Sequence, residues 1–236
     1  MKFQLKRKPS LYLVLLVCFF FLVSILYFFF RGNKVANRTI ITNFNRITKV
    51  PDPANIFTTS DWYFLNHISS PLVAFNHQEG RFNPLLAEKW EIDGSRVVFT
   101  LRQDAKFSDG APIKPEDVAN SIKRLVIKKT STHFPIWEQL VGCESLRKLS
   151  DKCFGIELLD TNRIKFSLKE NVESFFLLMA SPEGGIWASE NIDKDSLNLK
   201  PTKYSGPYAF QQTEQEPFLL LKNLYSPIHK MFLESP

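Results

Sequence analysis

The chain has 236 residues, 44% of them hydrophobic and 23% charged, with 30 Lys and Arg against 24 Asp and Glu. That length makes one sizeable domain or two small ones. Six basic residues (Lys2, Lys6, Arg7, Lys8, Arg31, Lys34) and no acid fall in residues 1–36, so residues 37–236 hold 24 of each sign, which excludes an overall electrostatic case for nucleic acid.

Residues 1–10 read as a basic cytoplasmic N-terminus. From Leu11 to Phe30 no residue is charged. Twenty such residues span about 30 Å as a helix, the thickness of a hydrocarbon core. The basic flank ahead of the run keeps the N-terminus inside. The run is longer than the core of a secretory signal, and "KVANR" is a poor cleavage exit, which favours an uncleaved transmembrane anchor over a cleaved signal. Cys18 sits in "LLVCFF", which lacks the small residues that precede a lipidated cysteine. Residues 31–38 read as a linker, and residues 39–236 as the folded domain.

Within that domain "TIITNF" (39–44) reads as a first strand, and the two prolines of "KVPDPAN" (49–55) make a loop. Residues 60–75 carry apolar side chains at helical spacing behind a cap at Ser60, becoming irregular at Pro71. Residues 76–92 read as a turn and then a short helix or strand entry. In "DGSRVVFTLR" (93–102) a Gly turn leads into alternation, with Val97, Phe99 and Leu101 on one face. "FSDGAPIKPEDV" (107–118) reads as strand exit, turn and helix entry. Gly110 suits positive φ, Pro115 suits the first helical position, and Glu116 and Asp117 favour the positive end of the helix. The helix runs over 115–129 with Val118, Ile122, Leu125 and Val126 on one side. "NRIKFSL" (162–168) alternates again, "NVESFFLLMAS" (171–181) is a buried helix, and 205–223 makes two strands with a turn near Glu214–Glu216. Strands alternating with helices give an α/β class.

Cys143 and Cys153 bracket "ESLRKLSDK". They are read either as a disulfide, stable outside the cytoplasm, or as two reduced thiols. The four histidines are scattered and make no local metal pair, so no metal and no cofactor is expected. "SLRK" (145–148) fits a Ser-x-x-Lys pattern, but the Lys-Thr-like element "KTS" (129–131) precedes it. That order is reversed for penicillin-recognising enzymes, so the match is read as chance. No enzyme motif stands behind it.

The order of segments carries more than any one of them. "NPLLAEKWEIDGSRVVFTLRQDAKFSDGAPIKPEDVANSIKRL" (83–125) resembles the family 5 extracellular solute-binding proteins, the oligopeptide, dipeptide and nickel receptors of ABC importers. The residues in register are Pro84, Leu86, Ala87, Glu88, Trp90, Phe99, Leu101, Arg102, Phe107, Asp109, Gly110, Pro112, Asp117 and Val118. "VPDPANIFTTSD" (50–61), "GIELLDTNRIKFSL" (155–168), "YSGPYAF" (204–210) and "LKNLYS" (221–226) follow the same family in order.

The resemblance implies a periplasmic-binding-protein type II-like fold, a mixed sheet with flanking helices. It implies an extracytoplasmic domain at the cytoplasmic membrane and a cleft for an extended peptide or other small solute. ABC importer permease subunits would be the partners, with attachment through Leu11–Phe30. The ligand-facing residues it implies are Phe57, Thr58, Thr59, Ser60 and Trp62 in the first loop, with Phe134 and Trp137, beside His133, after the helix. Family members are about twice this length, so only a first lobe is expected here, together with two departures: no lipobox, and Lys114 where Ser or Thr commonly caps the helix. The alternative expectation is a tethered single-lobe sensor or interaction protein, or a remnant, without a transport role.

Overall fold

The computed structural model describes residues 16, 19–22, 50–131, 133–170, 172–212 and 219–227. The chain divides into two compact units, Met1–Asn43 and Phe44–Pro236. In the first unit, Leu16 and Phe19–Leu22 are helical and exposed. Among the described residues no helix is long and apolar enough to cross a membrane. The expected span Leu11–Phe30 lies mostly outside them, as do the expected strand 39–44 and the turn at Glu214–Glu216.

The second unit opens on a 3₁₀ turn, Pro53–Asn55, where a loop is expected. Asp52 caps it, its Oδ1 accepting from Ala54 N at 2.9 Å. Helix α1, Thr59–Ile68, follows. Its cap is Thr58, not Ser60. Thr58 Oγ1 accepts from Asp61 N, and Thr58 N donates to Asp61 Oδ2, both at 3.0 Å. This reciprocal pair satisfies two amides at the helix start. The helix stops at Ser69, which is extended. Pro71 lies two residues on and disfavours helical geometry at Ser70.

Strands β1 (Val73–Asn76) and β2 (Arg81–Pro84) form a hairpin. Strands β3 (Ala87–Asp93), β4 (Arg96–Leu101), β5 (Ile156–Leu158) and β6 (Arg163–Ser167) form a sheet in the order β3-β4-β6-β5. Strands β7 (Tyr208–Gln211) and β8 (Leu219–Lys222) pair separately. Every pairing between these strands is antiparallel, where a mixed sheet is expected. The links explain this. β3 turns into β4 through Gly94, and β5 into β6 through an Asp160 turn, and such short connections bring a strand back antiparallel. The stretch 76–92, open between helix and strand in the sequence, is strand.

Alternation places the core. Val97, Phe99 and Leu101 of β4 are buried, as are Ile164, Phe166 and the adjoining Leu168. Helix α2, Pro115–Lys128, adds Val118, Ile122, Leu125 and Val126 to the same cluster. After the short helix α3, Phe134–Trp137, helix α4, Val172–Met179, adds Phe175 and Phe176. The rings interlock, with Phe166 at 5.2 Å from Phe175 and Phe99 at 5.3 Å from Phe176. Each buried ring of this kind stabilises the fold by about 1.5–3 kcal/mol. A second, smaller core joins Phe64, Leu65 and Ile68 of α1 to Trp187 and Tyr204.

The opening of α2 has the expected geometry. Gly110 takes φ +87° beneath the Tyr225 ring, and Asp109 Oδ1 accepts from Ala111 N at 3.0 Å. Lys114 precedes the helix with no side-chain acceptor to offer. Asp117 replaces it: Oδ2 accepts from Lys114 N at 3.0 Å, and Oδ1 accepts from Ser189 N and Ser189 Oγ, both at 2.8 Å. Cys143 and Cys153 are joined by a disulfide, their Cα atoms 4.6 Å apart.

Candidate functional site

Two parts of the chain distant in sequence meet at a small cavity of about 140 Å³. One part is the loop from Pro53 through Phe57 into α1. The other is the segment leaving α2, Thr130 to His133. Between them stands Glu183, in the 3₁₀ turn Pro182–Gly184.

The chain fixes the loop first. Asp52 Oδ2 accepts from Arg124 Nη2 at 2.5 Å, and Arg124, itself buried, donates from Nε to Leu197 O at 2.7 Å. Thr130 Oγ1 donates to Ala54 O at 2.7 Å. Burial raises the Asp52 pKa, but the hydrogen bond and charge of Arg124, with Ala54 N–H and Lys128, outweigh it and hold the carboxyl below its ordinary range.

Glu183 is 3% exposed. Its position follows from close packing behind it. A Cβ at Gly184 would lie 2.4 Å from Leu178 O, so only glycine lets this turn sit against the end of α4. The carboxylate accepts three side-chain donors. Trp137 Nε1 donates to Oε1 at 2.5 Å, Ser131 Oγ also donates to Oε1, and His133 Nδ1 donates to Oε2 at 2.9 Å. A carboxylate only accepts, so this network puts the proton of His133 on Nδ1.

The expected site residues divide. Phe57 and Trp62 line the cavity, and Phe57 is 80% exposed. Thr58 spends its hydroxyl on the α1 cap, while Thr59 and Ser60 lie in the first turn and do not line the cavity. Trp137 is fully buried and reaches the site through Glu183. Phe134 packs on the main core beneath Lys129 Nζ, 5.5 Å from its ring centroid, and faces a different hollow. The structure thus brings Phe57 and Trp62 together and sets Phe134 apart. Glu183, Ser131 and Asn55 have no expectation attached to them. Glu183 lies 46 to 52 residues from its three partners, in a Gly-rich turn without any local motif.

A larger open groove of about 830 Å³ lies beside β4 and the start of α2, walled by Arg102, Lys114, Glu116 and Asp160. None of the expected residues lines it. Its size comes from an open mouth between surface side chains. The smaller cavity has the converging buried polar group and the aromatic wall that small-molecule sites combine. Among the described residues no group of three or more His, Cys, Asp and Glu side chains could hold a metal ion.

The chain has relatives of known name. It is 28% identical over 170 residues to the periplasmic murein peptide-binding protein MppA of Escherichia coli, covering 70% of this chain and 32% of that one. It is 26% identical over 170 residues to the dipeptide-binding protein DppE of Bacillus subtilis, covering 70% and 30%. The chain spans about a third of the length of these relatives. Among solved structures, the periplasmic oligopeptide-binding protein OppAIV of Borrelia burgdorferi superposes with a TM-score of 0.63 at 20% identity, covering 78% of this chain and 38% of that one. At that identity the likeness is one of fold, the α/β fold of periplasmic binding proteins. The sequence profile of the bacterial extracellular solute-binding proteins, family 5 middle region, matches residues 81–224, and the chain therefore belongs to that family, one of binding proteins and not of enzymes.

Proposed function

We propose that this chain is a peptide-binding component of an ABC importer. The observation that carries this reading is the family match over residues 81–224, which covers most of the described domain. Relatives named as peptide-binding proteins support the ligand class. A neighbour in fold titled as the substrate-binding domain of an oligopeptide ABC transporter supports the partner. In this reading residues 39–236 form a lobe on the outer side of the cytoplasmic membrane, and Leu11–Phe30 tethers it there. Permease subunits take the released ligand.

Peptide receptors hold an extended ligand by its backbone and admit its side chains to pockets. Phe57 and Trp62 provide the wall of one such pocket. Thr58 to Ser60 present the entrance of α1 beside it. Trp137 acts by positioning Glu183, and Phe134 by supporting the segment that follows α2.

The test is isothermal titration of the full chain, held in detergent micelles, with trialanine. Replacing Phe57 and Trp62 together by Ala is expected to weaken binding at least tenfold, about 1.4 kcal/mol. The exposed Phe57 ring contributes little to folding, so a Phe57→Ala single variant isolates contact from stability. Unchanged affinity in both variants would remove this cavity from the binding surface.

A further inference from the structure

We propose that Glu183 makes this cavity a subsite for a cationic nitrogen of the ligand, a primary ammonium on a lysine side chain or at a peptide N-terminus. The inference rests on the binding reading above and adds the chemistry that one pocket selects.

The argument is one of charge and space. A carboxylate almost removed from water needs compensation. Here it has three side-chain donors, and among the described residues no lysine or arginine lies within ion-pair distance of it; its one ion-pair partner is His133. A carboxylate offers about four acceptor positions, so one remains for a ligand. Ser131 and Trp137 are neutral donors, which fix the carboxylate in place without cancelling its charge. His133 stands at the rim with half its side chain exposed. The cavity that Glu183 lines adds the aromatic groups of Phe57 and Trp62. Aromatic faces attract ammonium groups, and more strongly when water is excluded. No cationic side chain lines the cavity, so an anionic ligand group meets only repulsion. The volume of about 140 Å³ fits an ammonium with a few methylenes and is too small for a whole peptide.

A purely structural carboxylate would hold the three loops together and ignore solutes, and the test separates the two. The indole N–H resonances of the ¹⁵N-labelled full chain in micelles are followed while n-butylammonium chloride is added. Matched titrations use n-butanol and sodium chloride. The expected result is a saturable shift of the Trp137 and Trp62 signals with butylammonium alone. Glu183→Gln abolishes that shift, and Phe57→Ala, which alters an exposed side chain and keeps the fold, weakens it several-fold. Equal responses to butanol and butylammonium, or a shift that never saturates, would overturn the subsite even if Glu183→Gln fails to fold. Glycyl-glycyl-glycinamide and N-acetyl-lysine amide then distinguish a peptide N-terminus from a lysine side chain, and a site that takes neither is not a ligand subsite. N-acetyl-trialanine amide, which carries no cation, tests the peptide reading separately. If butylammonium saturates and no peptide binds, the peptide reading fails and the cation site stands. If peptides bind equally to the wild type and Glu183→Gln while butylammonium does nothing, the subsite fails and the reading stands.

Discussion

Asp52 illustrates how one side chain places the candidate site. It caps the first 3₁₀ turn with one oxygen and anchors Arg124 of α2 with the other. The Arg124 guanidinium is almost wholly buried, so removing its partner leaves a charge without compensation. Asp52→Asn is expected to cost about 2–4 kcal/mol, below the full range for breaking a buried pair because Asp52 itself is partly solvated. The pH dependence follows from the depressed carboxyl pKa. A group whose folded pKa lies below its unfolded value adds stability that is complete above the unfolded value, about 3.9. That stability disappears as pH falls through the lower folded value. Melting temperatures measured from pH 7 down to pH 3 should therefore fall more steeply for the wild type than for Asp52→Asn. Parallel curves would show that the pair does not contribute. None of this was legible in "KVPDPAN", which announces a loop but not the Arg124 that lies 72 residues away. Glu183 was invisible for the same reason. Phe57 and Trp62 were legible only through the order of family-like segments, since an aromatic residue in a loop has no signature of its own.

At the level of elements, legibility tracked the strength of the local signal. β4 and β6 alternate cleanly and bury the expected faces. α2 starts at Pro115 because the turn at Gly110, two prolines and an acidic first turn agree on one geometry. β1 was hidden because the apolar run after Pro71 continues the helical spacing of α1. β2 and β3 are short of alternation: the outer positions of β3 are mostly exposed. The cap of α2 supplies a test at this scale. Asp117→Ala removes the acceptor of Lys114 N and of both Ser189 donors, and is expected to destabilise the chain by about 1–2 kcal/mol. Asp117→Asn, which keeps one acceptor oxygen, should recover part of the loss. The Cys143–Cys153 disulfide closes a short loop after α3. In the chain-entropy view a loop of that length adds about 2–3 kcal/mol. For a chain of this size that corresponds to about 4–12 °C of melting temperature, lost on reduction. A melting temperature indifferent to reductant would mean that the loop is held by its other contacts, notably the buried Leu146.

For the whole molecule, the separation of charge is the organising fact. The basic excess sits wholly in residues 1–36, and the domain beyond is balanced. A neutral lobe behind a basic, uncharged-core segment fits a receptor that works at a membrane surface and captures small solutes, not one that follows a polyanion. Its two cores, one built on the antiparallel sheet with α2 and α4 and the other on α1, meet the candidate cavity through Asp52, Thr130 and Glu183. The α/β character and the family were readable from segment order. The antiparallel pairing was not, because strand direction depends on which connection turns back. The central claim is peptide capture by this chain. Its most direct test is native mass spectrometry of the full chain, released from micelles after incubation with a mixed library of dipeptides to pentapeptides. The account predicts stoichiometric adducts of peptide mass that disappear in the Phe57→Ala, Trp62→Ala double variant. A chain that carries no peptide from the whole library, at concentrations well above the micromolar range, would contradict it.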